Sequence, residues 1–340
     1  MVFNISEFIK INRVYFIWAM FVGVLYLFRD MFGLVFMTFI MGFVVSSITH
    51  KFRRKYHFNR RTVIVMLYLV FLVGVVAFLR YIPTRLLSET ITFTEQLPRT
   101  ISSLNEWVDN EFSDNEVIAP MLAQMKDTVR PETTVVKAWN FLRNVLEKGI
   151  HYIGWFFLAM LFSFLILFDL PKLSKSVRYL RFTRLAETYR ETSDSIILFA
   201  KVVGENFRAQ LIISLINTIL TAICLYLLKV KAVALLSTIV FMCGLIPVLG
   251  MWISSVPIIL MAINSGGIEL GMWALVMIVV IHMIEAYILN PRIVSSVMHI
   301  NPVMTLIILY IAHELIGLWG MLLGVPIAVY IYRKINIGKL

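Results

Sequence analysis

The chain is 340 residues long, 60% hydrophobic and 15% charged, with a formal net charge of +11. So apolar a composition excludes a water-soluble domain, whose core must be covered by polar surface, and points to a membrane protein. The positive excess sits beside apolar runs without the basic, aromatic-interleaved surface of strand-binding proteins, so the positive-inside rule accounts for it and nucleic acid is not an expected partner.

The first apolar run, Val14 to Phe28, follows Lys10 and Arg13 without a small-residue cleavage pattern, and a second, Met31 to Thr49, begins just after Arg29-Asp30. That predicts a tight two-helix hairpin rather than a signal peptide. Residues 51–61 then carry six basic side chains and no acid, which places this loop, and the N-terminus with it, in the cytoplasm. A third span, Thr62 to Leu79, leads outward to the longest polar interval, Arg80 to Lys148, with ten acidic and eight basic residues. Within it Leu97, Ile101, Leu104 and Val108, and later Phe141, Val145 and Leu146, fall at near-helical spacing. This predicts interfacial amphipathic helices flanking an acidic linker at Asp109 to Glu116.

A fourth span, Gly149 to Phe168, returns to the cytoplasm and is expected to end at Asp169-Leu170-Pro171. In the segment that follows, 169–207, Lys172, Lys175, Arg178, Arg181 and Arg184 recur every three or four residues, a stripe on one helix face suited to anionic lipid headgroups. Cys224 and Cys243 both lie within apolar segments, which leaves neither a disulfide framework nor a metal-binding cluster.

From residue 208 to 334 the pattern changes. Ala209 to Leu228 is an ordinary span, whereas Ala232 to Ile263 would make a helix of about 48 Å, well beyond a hydrocarbon core of roughly 30 Å. It is interrupted by Gly244-Leu245-Ile246-Pro247-Val248-Leu249-Gly250, with Pro257 further on. After the span Leu270 to Leu289 the construction recurs: Pro302 to Tyr332 is again too long for one crossing and contains Gly317, Gly320 and Pro326. Each long segment is therefore expected to be a broken helix or a re-entrant hairpin, and paired interruptions of this kind point to a transport site at their interface. The expected fold is all-α, a polytopic membrane protein with about six to eight spans and a cytoplasmic C-terminus.

At these residues the sequence resembles the autoinducer-2 exporter-like transporters, a large group of bacterial permeases. The resemblance is carried by the motif at Gly244 to Gly250 with Pro257, by Glu285-Ala286-Tyr287-Ile288-Leu289-Asn290-Pro291-Arg292-Ile293-Val294, by Asn301-Pro302, and by Gly317 and Gly320 with Pro326. It implies an inner-membrane exporter of small polar solutes such as autoinducer-2, with sodium- or lithium-proton exchange as the alternative. It also implies a homo-oligomer, a pentamer, with an elevator-like moving domain. The chain departs from the family pattern at Ala312-His313-Glu314, where small residues are usual, and this raises ion coupling.

Ionisable groups inside spans cost about 2.5 to 3.5 kcal/mol at a helix centre, so each is a functional candidate. Glu285, on one helix face with His282 and Leu289, is a candidate cation or polyol ligand, or else reaches the interface or pairs with Arg292. His313 and Glu314 are candidates for proton relay, or for capping the first half of a broken helix. Asn217 sits mid-span, as interhelical glue or solute ligand, and Asn290 and Asn301 flank the loop between the last two segments. Gly244, Pro247, Gly250, Pro257, Pro291, Gly317, Gly320 and Pro326 are expected hinges that shape the site. No P-loop, zincin pattern or nucleophile elbow is present, so no cofactor, metal or enzymatic activity is expected and energy would come from gradients. A reading of another class is a non-transporting scaffold that works through the segment 80–148 or the basic segment.

Overall fold

The computed structural model describes residues 31–112, 131–183, 186–293 and 301–337. The expected first span, part of the acidic linker, most of the loop between Asn290 and Asn301, and Lys339 lie outside the described residues. Among those described, every regular element is helical, as the composition requires in a medium where each backbone amide must be paired within its own segment. Among the described residues five helices are long and apolar enough to cross a membrane. Only 17% of the apolar window of Arg60–Arg80 is buried, and Met66, Leu69, Val70, Val73 and Val76 lie exposed along it. Such an apolar surface is stable against lipid and not against water.

Helix α1 (Phe32–Tyr56) runs through most of the expected basic loop and holds Arg53, Arg54 and Lys55 in its last turn, where cations oppose the negative end of the helix dipole. His57 then adopts a left-handed conformation and its amide closes on the Arg53 carbonyl. Helix α2 (Arg60–Phe112) continues without a break from the third span into the polar interval. At about 80 Å it outreaches any bilayer. Helix α3 (Pro131–Tyr179) contains Pro171 rather than ending at it; the proline removes one amide, and the helix absorbs that loss. The interruption comes at the 3-10 turn Leu180–Phe182, after which α4 (Ala186–Leu227) joins the second half of the basic segment to the next span.

The chain forms two compact units. The first comprises the described parts of residues 1–71, 152–205 and 326–340. Its centre is Ile64, Tyr68 and Leu167, with the Tyr68 hydroxyl bonded to Ser163. The second comprises 72–151 and 206–325, as far as they are described, and contains the first broken segment and the break of the second.

The first broken segment is a helical hairpin. Helix α5 (Val233–Cys243) and the start of α6 (Leu249–Ile284) are joined by a tight turn, and the amide of Lys231 meets the Ser265 hydroxyl at 3.0 Å where the two limbs end. A Cβ on Gly250 would overlap the Cys243 carbonyl. The chain then bends again at Gly266 and Gly267, both non-helical within α6. Gly271 lies against the Ile263 side chain, a contact that residues eight apart in a straight helix, about 12 Å along the axis, cannot make. Leu236, Val240, Ile258, Met261, Ala262, Ala274, Met277 and Ile281 fill the space between these limbs. The second half of α2 packs on them: Glu89 accepts the Leu235 amide at 2.7 Å, Asn264 donates to Thr100 at 3.0 Å, and Leu97 and Ile101 of the amphipathic stripe are buried. Glu89 thereby caps α5, whose own N-cap, Ala232, has no side chain to do so.

The second broken segment repeats the device. Helix α8 (Pro302–Ile316) follows a π-turn at Glu285–Leu289 and the short α7 (Asn290–Ile293), and α9 (Leu318–Ile337) follows Gly317, whose φ is +64°. Gly320 abuts the Ala312 carbonyl, and Gly324 abuts Ala312 and Ile308, so α8 and the start of α9 run back along one another. Pro257 and Pro326 sit inside helices and do not mark breaks.

The close approach makes Gly320 a sharp test. Gly320→Ala places a methyl group inside the Ala312 carbonyl, whereas a Cβ on Gly74 meets nothing within 4 Å. Thermal unfolding in detergent is expected to show a loss of stability for Gly320→Ala of several degrees or failure to fold. Gly74→Ala should be neutral or gain up to about 1 kcal/mol from reduced unfolded-chain entropy.

Candidate functional site

The first hairpin, α4 and the second half of α6 enclose a cavity of about 60 Å³ within the second unit. One polar wall comes from α4, where Gln210, Asn217 and Thr221 line the cavity; with Ser214 they recur at intervals of four, three and four residues and so share one face. Ser214, Asn217 and Thr221 are buried. In an otherwise apolar span this row of amides and hydroxyls demands partners, and the broken hairpin supplies them. Gln210 Nε2 donates to the Gly244 carbonyl at 2.6 Å, and Ser214 Oγ donates to the Phe241 carbonyl at 2.7 Å.

The turn itself leaves little backbone free. The amides of Gly244, Leu245, Ile246 and Gly250 bond to carbonyls of Val240, Met242, Cys243 and Ile246. Leu249 N–H closes on the Pro247 carbonyl at 2.7 Å across Val248, whose φ is +66° and ψ is −52°. That is a γ-turn at a β-branched residue, a strained conformation worth of order 1–3 kcal/mol, and Val248 lines the cavity.

Opposite α4 stands Glu285. Asn217 Nδ2 donates to Glu285 Oε2 at 2.7 Å, and His282 Nδ1 lies 4.0 Å from the same oxygen. Arg292 is not its partner. Two buried atoms here, Asn217 Oδ1 and His282 Nδ1, have no hydrogen-bond partner. A carboxylate, an amide oxygen and an imidazole nitrogen thus converge on one small space. Glu285 opens the π-turn, in which the Asn290 amide reaches back to the Glu285 carbonyl. Pro291 explains that turn: its ring would clash with the carbonyl four residues earlier, and the wider helix relieves the clash.

Of the residues singled out in the sequence, the structure brings together Glu285, Asn217, Gly244 and Gly250, with Pro247 in the turn that joins the limbs. It does not bring His313, Glu314, Asn290 or Asn301 to the cavity. Asn301 is the N-cap of α8, its side chain accepting from Val303 N at 2.9 Å. His313 and Glu314 are exposed in the last turn of α8, and the His313 carbonyl accepts the Gly317 amide. Gln210, Ser214, Thr221 and Ser254 were not anticipated, although the spacing of the α4 row is visible in the sequence. Among the described residues no group of three or more His, Cys, Asp or Glu side chains could hold a metal ion.

Comparison with known proteins identifies the family. The relative named "Putative transport protein YdbI" of Bacillus subtilis (strain 168) is 28% identical over 331 residues, 94% of this chain and 90% of its own length. A protein of Halobacillus andaensis named as a sodium-lithium/proton antiporter is 23% identical over 292 residues, 82% of each chain. The family described as "AI-2E family transporter" matches residues 15–338, and the chain belongs to that family of multi-pass membrane proteins.

Proposed function

We propose that this protein is a secondary transporter in which Glu285 binds a small monovalent cation and exchanges it for a proton. The observation that carries the reading is the meeting of a single carboxylate with an unpartnered amide oxygen in a cavity of about 60 Å³. By the measure that one water needs about 10–15 Å³, this space takes a few waters or one partly hydrated ion, whereas a polyol requires it to open. Within hydrocarbon a bare carboxylate is costly, but Glu285 is neutral both when protonated and when paired with a monovalent cation. Those two states can cross; the empty charged state cannot. Competition of proton and cation for one oxygen pair is then sufficient for obligatory exchange, with His282 placed to pass the proton. The sodium-lithium/proton antiporter of Halobacillus andaensis, a relative over most of the chain, supports the same chemistry.

Export of a small polar solute such as autoinducer-2 is the second reading, favoured by the hydroxyl and amide groups of Thr221, Ser254 and Gln210 along the cavity wall. We further propose the bacterial inner membrane as its location, with the basic last turn of α1 in the cytoplasm and the end of α2 outside. An elevator-like movement within a homo-oligomer is the proposed means of alternating access.

In proteoliposomes, an imposed proton gradient is expected to drive sodium or lithium uptake. Glu285→Gln should reduce it by at least about tenfold, and Asn217→Ala by about two- to twelvefold, the worth of one hydrogen bond of ~0.5–1.5 kcal/mol. Full cation flux in a correctly folded Glu285→Gln protein would exclude exchange at this site, and gradient-dependent flux of autoinducer-2 alone would favour the second reading. For orientation, an impermeant maleimide on intact cells should label Glu106→Cys and reach Lys55→Cys only after permeabilisation. The reverse pattern would invert the topology.

A further inference from the structure

The first unit holds a different kind of cavity. An apolar groove of about 600 Å³ runs between α1, at Leu34, Thr38 and Gly42, and α3, at Phe162 and Ile166. From Met31 to Ser46 along α1 it extends about 22 Å, more than one leaflet's half of a roughly 30 Å hydrocarbon core. Ser46, Leu167 and Leu170 line this groove and also line a second cavity of about 270 Å³. The second cavity has the opposite chemistry, with His50, Arg53, Arg60 and Arg178 in its walls.

Two of the arginines are held by hydrogen bonds. Arg60 Nη2 donates to the Leu167 carbonyl at 2.6 Å, which fixes its guanidinium where groove and cavity join. Arg178 is steadied by Ser174, through its carbonyl at 3.4 Å and its hydroxyl at 3.3 Å. Among the described residues no carboxylate lies within ion-pairing distance of Arg53, Arg60 or Arg178, and the nearby Asp169 pairs with Lys172 at 3.2 Å. Guanidinium groups suit phosphate oxygens, which they bind in a bidentate fork. A soluble anion would use the basic cavity and have no use for the groove. An uncharged lipid would use the groove and leave three cations unpaired.

We infer that groove and cavity together hold one anionic phospholipid, with an acyl chain along α1 and α3 and the headgroup phosphate among Arg53, Arg60 and Arg178. The site is independent of the cation site proposed above and needs only that the chain lie in a membrane. It also narrows the reading of the basic stripe: Arg178 lines the cavity, whereas Lys172, Lys175 and Arg181, exposed as Arg178 is, lie outside its lining.

The test is native mass spectrometry of the full chain, purified and exposed to equal mole fractions of phosphatidylglycerol and phosphatidylcholine. Phosphatidylglycerol should be retained in preference by about tenfold, a difference of ~1.4 kcal/mol. The double variant Arg53→Gln/Arg178→Gln should lose the preference and Arg53→Lys/Arg178→Lys should keep most of it, both eluting as wild type in gel filtration. Glycerol phosphate should not displace the lipid. Equal retention of both lipids, an unchanged preference in the glutamine variant, or displacement by glycerol phosphate would each overturn the inference. If the glutamine variant fails to elute as wild type, the wild-type lipid comparison and the displacement experiment decide alone. In the first outcome the groove would belong to another part of this chain or to a second copy.

Discussion

The constraint on which the structure depends is that hydrocarbon offers no partner to a backbone amide or carbonyl. A helix can therefore be broken at membrane depth only where the break satisfies itself. At Gly244 to Gly250 it does so through turn bonds between successive backbone groups and through Gln210 and Ser214, which reach across from α4 to two carbonyls. Glycine is required where the limbs touch, since side chains at Gly250 and Gly320 would overlap carbonyls of the opposite limb. Because lipid is as apolar as leucine, such close backbone contact, and not hydrophobic exclusion, is what holds helices together in this medium.

The polar site follows from the same rule. Once α4 carries amides and hydroxyls to pair the broken hairpin, one face of a membrane helix is polar for three turns, and a carboxylate opposite it is tolerated. The Asn217–Glu285 hydrogen bond at 2.7 Å closes that arrangement. The π-turn forced by Pro291 begins at Glu285, so the acidic residue of the site also lies where the helix is least regular. Strain at Val248 adds a second departure from regular backbone on the facing wall, and sites of this kind concentrate where function requires them.

Much of this was legible in the sequence. Two apolar segments too long to cross once and interrupted by glycine predicted a broken helix or a re-entrant hairpin in each without deciding between them, and an acid inside a span marked Glu285. A single asparagine at 217 has an ordinary explanation as interhelical glue; the row Gln210, Ser214, Asn217, Thr221 says more, and it is visible by spacing. The continuity of α2 was hidden, since hydropathy ends a span where polar residues begin while the helix itself continues. Pro171 misled in the same way: a proline costs one hydrogen bond, and neighbouring turns of α3 carry the helix past it. His313 and Glu314 are neighbours in sequence, a relation that says nothing about distance to the cavity.

The most direct test is equilibrium binding of radioactive sodium to the purified protein, with lithium as competitor. The account predicts saturable binding that falls as the pH is lowered, is displaced by lithium, and disappears in Glu285→Gln. Binding that survives the substitution, or that ignores protons, would contradict a cation site at this carboxylate.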